Sequence, residues 1–332
     1  MNALIIAVII LALIFDFLNG VHDSSNIVAT MISSRALPPR VALWMTAAAN
    51  FVGPFIFGVA VAETIGNEVV DSAAIDLVVI LAALASAILW NLLTWYLGFP
   101  SSSSHALIGG LIGAVVIAAG WSAIMLPGLL KVLLALFLSP IIGFIFGFVV
   151  LRLIYLICWK ASPKVNKYFN RGQILTSLSL ALSHGTNDAQ KTMGIITLAL
   201  VTGGYLETFE VPQWVILACA TMIAAGTALG GWRLIKTLGA KFYRIRPVDG
   251  FSSQLASSVV ILGASLVGGP VSTTQVVSSS IMGAGAAERK NKVRWGVAQD
   301  IGMAWLLTIP ATALMGAGLY WLLNSILSLF GA

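Results

Sequence analysis

Long apolar runs separated by short polar loops dominate this chain of 332 residues. A helix needs about 20 apolar residues to cross the hydrocarbon core of a bilayer, whereas a barrel strand needs about ten. Because lipid leaves helices and closed barrels as the spanning structures, runs of this length predict helices. The predicted apolar segments are residues 3–34, 41–62, 74–119, 129–157, 173–200, 213–235, 250–287 and 296–323.

The composition places the chain among polytopic membrane proteins. It is 59% hydrophobic and 9% charged, with a mean hydropathy of +0.98, whereas a soluble domain of this size needs many more surface charges. The first apolar run lacks the basic start and small-residue cleavage site of a signal peptide. Cys158 and Cys219 show no metal-type spacing and form no disulfide framework, so nothing favours a redox function.

Two polar motifs occur twice, each within an apolar segment. Gly-Val-His-Asp-Ser-Ser-Asn at residues 20–26 pairs with Gly-Thr-Asn-Asp-Ala-Gln-Lys at residues 185–191. Pro-Ser-Ser-Ser-Ser-His at residues 100–105 pairs with Pro-Val-Ser-Thr-Thr-Gln at residues 270–275. The offsets nearly agree, 188 − 23 = 165 and 270 − 100 = 170. Each motif is expected to break its membrane helix, and paired breaks are typical of a transporter's binding site.

The duplication divides the chain into a first repeat at 1–158, a basic linker at 159–172 and a second repeat at 173–332. The basic residues do not form one patch, as a nucleic-acid-binding protein would need; they concentrate in four loops, whereas the loops near 63–76 and 207–210 are acidic. By the positive-inside rule the basic loops are cytoplasmic. They comprise Arg35 and Arg40, residues 160–171, residues 236–246 and residues 289–294.

Counting crossings between these loops places both termini outside and gives the two repeats opposite orientations. Residues 74–119 and 250–287 each begin and end on one side of the membrane, which allows a re-entrant hairpin or two full spans. The predicted fold class is an all-α polytopic membrane protein with two inverted-topology repeats, broken helices and re-entrant hairpins. Localisation in the cell inner membrane, with lipids as partners, follows from this architecture.

The breaks carry the chemistry expected of a tetrahedral oxyanion site. A hydroxyl run directly after Pro or Pro-Val, opening a new helix, combines side-chain donors with free N–H groups and a positive dipole end. Asp23 and Asp188 repel an anion unless a proton or metal cation lies between them, which couples anion to cation. Asn26, Asn187 and Gln190 offer amide groups to either ion.

Several of these residues also have a structural interpretation. Asp23 and Asp188 could cap half-helices and pair with His22 or Lys191, and Lys191 could equally contact an anion. His22 is the better candidate for a proton role than His105, because it adjoins Asp23 and an imidazole ordinarily titrates near physiological pH. The glycine-rich stretches fit close helix packing. Asp16 and Asp300 also lie in apolar runs and are treated as secondary.

The four motifs, in this order and with the run Ala-Trp-Leu-Leu-Thr-Ile-Pro-Ala-Thr at residues 304–312, resemble the PiT family of inorganic phosphate transporters. His22 stands where many members have Asn, which resembles the bacterial branch described as proton-coupled and as carrying neutral metal–phosphate complexes. Gln275 stands where the family more often has His. The resemblance implies a set of phosphate-binding residues: Asp23, Ser102, Ser103, Ser104, Asp188, Gln190, Ser272, Thr273 and Thr274.

The same resemblance implies cation or proton coupling through His22, Asp23, Asn26, Asn187 and Asp188. Lys191, His105 and Gln275 are further candidates. We therefore expect a secondary phosphate symporter of the cytoplasmic membrane that is coupled to protons, and transport as a metal–phosphate complex is left open; sodium coupling, or another oxyanion such as sulfate, is the alternative. No enzyme is expected, because Ser104 and His105 point about 100° apart on a helix. No cofactor or resident metal is predicted, and a homodimer is left open.

Overall fold

The computed structural model describes residues 3–99, 101–232, 235, 243 and 245–329. Pro100 and most of the basic loop 236–246 lie outside this part. Within the described residues the secondary structure is helical, apart from an isolated bridge between Val70 and Ile124. The main helices are α1 Ala3–Ser33, α2 Pro39–Ile56, α3 Ala60–Glu63, α4 Leu77–Leu97, α5 Ser103–Ala119, α6 Leu126–Ile157, α7 Asn166–Thr202, α8 Gln213–Leu229, α9 Pro247–Leu266, α10 Thr273–Glu288 and α11 Trp295–Leu329.

The apolar helices agree with a multi-pass membrane protein. Helices α1, α4, α6 and α11 are each long and apolar enough to cross a bilayer. Helix α2 reaches that length only together with the segment Ala60–Glu68, across a bend of 73°. Helix α7 begins at Asn166, inside the segment predicted as a linker, so the second part of the basic loop 160–171 is already helical. The division into repeats stays a prediction.

The helices of the two halves of the chain pack in equivalent pairs. Helix α1 packs on α8 as α7 packs on α2, and α6 lies along α10 as α11 lies along α5. These pairs interchange when α1, α2, α4, α5 and α6 are matched in order to α7–α11, so an approximate twofold relation connects the halves. Near the centre Asp16 of α1 approaches Thr192 of α7, and Asp23 lies beside Asp188. Along the contact between the two helices, residue numbers fall in α1 where they rise in α7. The matched helices are therefore antiparallel, as inverted repeats require.

The motifs at residues 20–26 and 185–191 do not break their helices. Both α1 and α7 continue through them without interruption, contrary to the sequence prediction. The glycines instead allow neighbouring backbones to approach: a Cβ on Gly20 or Gly185 would lie 2.3 Å from the carbonyl oxygen of Ile223 or Asn50. The polar side chains find partners on other helices, so the backbone keeps its own hydrogen bonds and has no reason to unwind.

The second pair of motifs does interrupt the helices. Helix α4 ends at Gly98, whose φ of +73° is the left-handed value that glycine adopts easily, and α5 begins after Ser102. In the second repeat α10 begins after Ser272. The tip between α4 and α5 (residues 101–104) touches the tip between α9 and α10 (residues 270–274), since the Ser104 hydroxyl donates to the Val271 carbonyl at 3.1 Å. The two segments are therefore hairpins that meet in the interior.

Cysteine accessibility tests the predicted orientation. In a background lacking Cys158 and Cys219, single cysteines at Asn67 and Thr208 should react with an impermeant thiol reagent added outside. Cysteines at Asn166 and Asn291 should react only after the membrane is opened. All four side chains are exposed, so labelling reports sidedness rather than burial. Labelling of Asn67 and Asn166 from one side would contradict the inverted arrangement.

Candidate functional site

Asp23 on α1 and Asp188 on α7 lie at the centre of the molecule, both essentially inaccessible to solvent. Thr273, at the start of α10, joins them. Its hydroxyl lies 2.9 Å from one oxygen of Asp188 and 3.3 Å from one oxygen of Asp23. A hydroxyl has a single proton, so it donates to one carboxylate at a time. The structure thus brings together the two predicted aspartates and a predicted hydroxyl donor.

The Asp23 carboxylate is held mainly by neutral donors. The Thr274 hydroxyl donates to it at 2.8 Å and the Asn26 amide at 2.9 Å, and that amide also lies 2.9 Å from the Thr274 hydroxyl. Nδ1 of His22 is 3.1 Å from the same carboxylate oxygen. These contacts link α1 to the second hairpin tip, although α1 and α10 are almost 250 residues apart in the chain.

The Asp188 carboxylate is held by a fixed cation. The Lys191 ammonium, one turn further along α7, donates to Asp188, to the Ser104 hydroxyl at 2.6 Å and to the Val271 carbonyl at 2.7 Å. All three of its protons are therefore used. Lys191 is less than 2% exposed, and it connects α7 to both hairpin tips. It acts here as the partner of an aspartate, one of the two roles that the sequence left open.

The two sides of the cluster match residue for residue under the repeat. Asn26 follows Asp23 by three residues and bonds Thr274 of the opposite repeat. Lys191 follows Asp188 by three residues and bonds Ser104, which corresponds to Thr274. The geometry is shared, but the first repeat uses a neutral amide where the second repeat places a positive charge.

His184 is a central residue that the sequence analysis missed. Its Nε2 lies 3.0 Å from Asp188 and 3.7 Å from Asp23, and its Nδ1 is 3.3 Å from the Asn50 side-chain oxygen. Position alone could have indicated it, because a residue four before Asp188 shares its helix face. Its repeat counterpart, Asn19, accepts a hydrogen bond from Ser103 at 2.6 Å.

Asn187 and Gln190 form hydrogen bonds outside the central cluster. Asn187 bonds the second hairpin, donating to Ser265 at 2.8 Å and accepting from the Val271 amide at 3.2 Å. Gln190 donates to the Gly58 carbonyl at 2.6 Å and accepts from the Val61 amide at 2.8 Å, at the bend between α2 and α3. In this conformation both side chains stabilise chain breaks.

Two of the predicted residues, Ser102 and Ser272, cap the tip helices. The Ser102 hydroxyl accepts from the His105 amide at 3.1 Å, and Ser272 accepts from the Gln275 amide at 3.4 Å. Nδ1 of His105 lies 2.8 Å from the Ser102 hydroxyl oxygen. The side-chain amide nitrogen of Gln275 is 3.4 Å from Nε2 of His105. The capping bonds aim the first N–H groups of α5 and α10, which lack intrahelical partners, at the centre.

His22 lies at the edge of the cluster. Among the described residues its Nε2 has no hydrogen-bond partner, and the side chain lines an apolar cavity of about 220 Å³ with Phe17, Asn91 and Trp95. One ring nitrogen therefore contacts Asp23 while the other faces space between α1 and α4.

Three ligand atoms of the cluster are close enough to share one cation. One atom each from Asp23, His184 and Asp188 lies within 4.8 Å of the others. The side-chain oxygen of Asn26 has no hydrogen-bond partner in the described part of the chain and adds a neutral oxygen nearby. Carboxylate and imidazole suit a divalent metal, whereas carboxylate and amide oxygens suit sodium. Asp23 and Asp188 of this set were predicted as cation-coupling residues, whereas His184 was not predicted and no resident metal was expected.

Hydroxyl groups at the starts of two helices lie beside paired carboxylates and between antiparallel helices, an arrangement typical of membrane transporters. Comparison with known proteins agrees. The phosphate transporter family matches residues 19–316, and the chain belongs to that family.

Relatives of this chain extend over nearly its whole length. It is 48% identical to a probable low-affinity inorganic phosphate transporter of Bacillus subtilis, over 97% of this chain and 98% of that one. It is 44% identical to one of Rhizobium meliloti, over 96% of both chains. A solved structure described as the sodium-dependent phosphate transporter superposes with a TM-score of 0.91 at 26% identity, covering 98% of this chain and all of that one. The predicted family, fold class and absence of enzymatic function are confirmed.

The buried pair of Lys191 and Asp188 predicts an ordered series of stabilities. Lys191→Met leaves the buried Asp188 carboxylate without its lysine partner and should lower the free energy of unfolding by about 3–5 kcal/mol. Adding Asp188→Asn removes that charge and should recover at least part of the loss. Thermal unfolding in detergent micelles measures the series, with Lys167→Met at the exposed start of α7 as the control. A Lys191→Met melting temperature equal to that of the wild type would contradict the prediction.

Proposed function

We propose that this protein is a symporter that takes up inorganic phosphate together with protons. The observation that carries the proposal is the composition of the central cluster. Both carboxylates are contacted by nitrogen groups, Lys191 and His184 at Asp188 and His22 at Asp23, as well as by hydroxyls. A positive charge that belongs to the protein occupies Asp188, where a sodium-coupled carrier would bind an ion from solution.

The hairpin tips supply the proposed phosphate site. Ser103, Ser104, Thr273 and Thr274 present hydroxyls beside the first N–H groups of two helices, and Lys191 adds a positive charge. Phosphate would exchange the contacts that these groups make with Asn19, Asp23 and Asp188 for bonds to its own oxygens. Such an exchange exposes the carboxylates to the anion, so a proton must accompany phosphate to limit the repulsion. Ser102 and Ser272 contribute through capping, and we assign Gln190 to the α2–α3 bend.

Removing single hydroxyls tests the phosphate site. Ser103→Ala and Thr273→Ala should each weaken phosphate binding by roughly ten- to hundredfold, because a hydrogen bond to a charged acceptor is worth about 1.5–3 kcal/mol. Phosphate protection against thermal unfolding measures the affinity. Ser325→Ala makes the same change at an exposed hydroxyl of α11 and should have no effect. If both tip variants bind phosphate as the wild type does, the site lies elsewhere.

Sodium coupling is the second candidate, supported by two observations. The unpartnered oxygen of Asn26 adjoins Asp23, and the solved structure with the same fold is described as sodium-dependent. A third candidate is transport of phosphate as a neutral complex with a divalent metal. The ligand atoms of Asp23, His184 and Asp188 suit such a metal. Each arrangement predicts a different ion requirement.

Imposed gradients separate these arrangements. In proteoliposomes held at about pH 7 outside, raising the internal pH alone changes the proton gradient while external phosphate keeps its ionisation state. We expect this gradient to drive uptake and a sodium gradient to have little effect. His22→Asn, which introduces the residue common in the family, should reduce the response to the proton gradient. Robust uptake from a sodium gradient alone would overturn proton coupling, and loss of uptake with a divalent-metal chelator would identify the metal complex as the cargo.

A further inference from the structure

Asp16 is a buried acid on α1 that the central cluster does not contain. Its side chain has no solvent exposure, and in the described part of the chain neither carboxylate oxygen has a hydrogen-bond partner. An ionised carboxylate without partners is far more costly in apolar surroundings than a neutral acid. In this conformation the Asp16 carboxyl group therefore holds a proton.

The position of Asp16 connects it to the cluster. It precedes Asp23 by seven residues, two helical turns or about 10 Å along the same face of α1. Asn19 lies between them, and its amide nitrogen has no hydrogen-bond partner among the described residues. Thr192, one turn beyond Asp188 on α7, brings its hydroxyl close to Asp16 without hydrogen-bond geometry, and that hydroxyl is also unpartnered. In the described residues, polar groups without hydrogen-bond partners thus extend from Asp16 towards Asp23 and Asp188.

Positive charge around Asp16 can compensate the negative charge of its carboxylate when the acid ionises. Helix α4, which also packs on α1, contributes no Asp, Glu, Lys, Arg or His, and the sole such residue of α2, Arg40, is exposed. Positive charge near Asp16 comes from Lys191, and from His184 when its ring is protonated, and is opposed by Asp188. Among the described residues, the ionisable groups that interact with Asp16 include His184, Asp188 and Lys191 on α7 and the Cys219 thiol on α8.

We propose that Asp16 is a second protonation site of the transport cycle, one that binds the coupling proton next to the phosphate site. The proposal rests on the proposed proton coupling. The proton comes from water on one side of the membrane and leaves to water on the other. Loaded carrier crosses with Asp16 neutral, and net transport requires its release. The second repeat has Ala181 at the matching position, so the first repeat alone provides this acid.

Comparing exchange with net uptake tests the proposal. Asp16→Asn mimics the protonated acid, so phosphate exchange in preloaded proteoliposomes should stay within about twofold of the wild type, whereas uptake driven by a proton gradient should fall at least about tenfold. Asp16→Glu retains a carboxyl group and should recover part of the net uptake. Asp300→Asn, the same change at an exposed acid of α11, should alter neither rate.

A spectroscopic measurement makes the test independent of transport. The infrared band of a protonated carboxylic acid should be present in the wild type and in Asp300→Asn but missing from Asp16→Asn. An unchanged band, or proton-driven uptake at the wild-type rate in Asp16→Asn, overturns the proposal. Loss of exchange in both Asp16 variants also overturns it, because the side chain is then structural. Failure of the wild type to respond to a proton gradient refutes the proposed coupling, and the wild-type measurement shows this directly.

Discussion

Two like-charged carboxylates share the interior at the crossing of α1 and α7, and much of the surrounding structure compensates them. Asp23 and Asp188 are both fully buried and are joined through Thr273. Such a pair requires positive charge and donors within reach. Lys191, two histidines and the hydroxyls of both hairpin tips supply them, and this demand brings the ends of α5 and α10 into the centre.

The shared frame of the two repeats carries unequal charges. Asn19 and Asn26 of the first repeat correspond to His184 and Lys191 of the second, and the contacts that Asn26 and Lys191 make with the opposite tip are equivalent. Geometry is thus conserved between the halves while the charge is concentrated in one of them. A cation built into α7 reduces the number of ions that must come from solution, which is why the proposed coupling uses protons.

Close helix packing and hydrogen bonds connect the parts of this arrangement. Gly20 and Gly185 let α8 and α2 approach the two central helices at the level of the aspartates. Asn187 and Gln190, next to Asp188, fasten the second hairpin and the α2–α3 bend. Movement of α7 relative to the tips therefore changes the surroundings of the tip hydroxyls, the carboxylates and the bend together. A carrier that exposes one site alternately to two sides needs this kind of mechanical linkage.

The sequence by itself determined the helical spans, the duplication, the family and the central aspartates, because hydropathy and repeated motifs are local properties of the chain. It also predicted the two tip interruptions, where Gly98, Ser102 and Ser272 give end signals. Tertiary structure decided which polar side chains meet. His184 joins the carboxylates, Gln190 turns to a backbone bend, and α1 and α7 stay continuous, because the partners that satisfy their polar groups come from segments about 80 to 250 residues away.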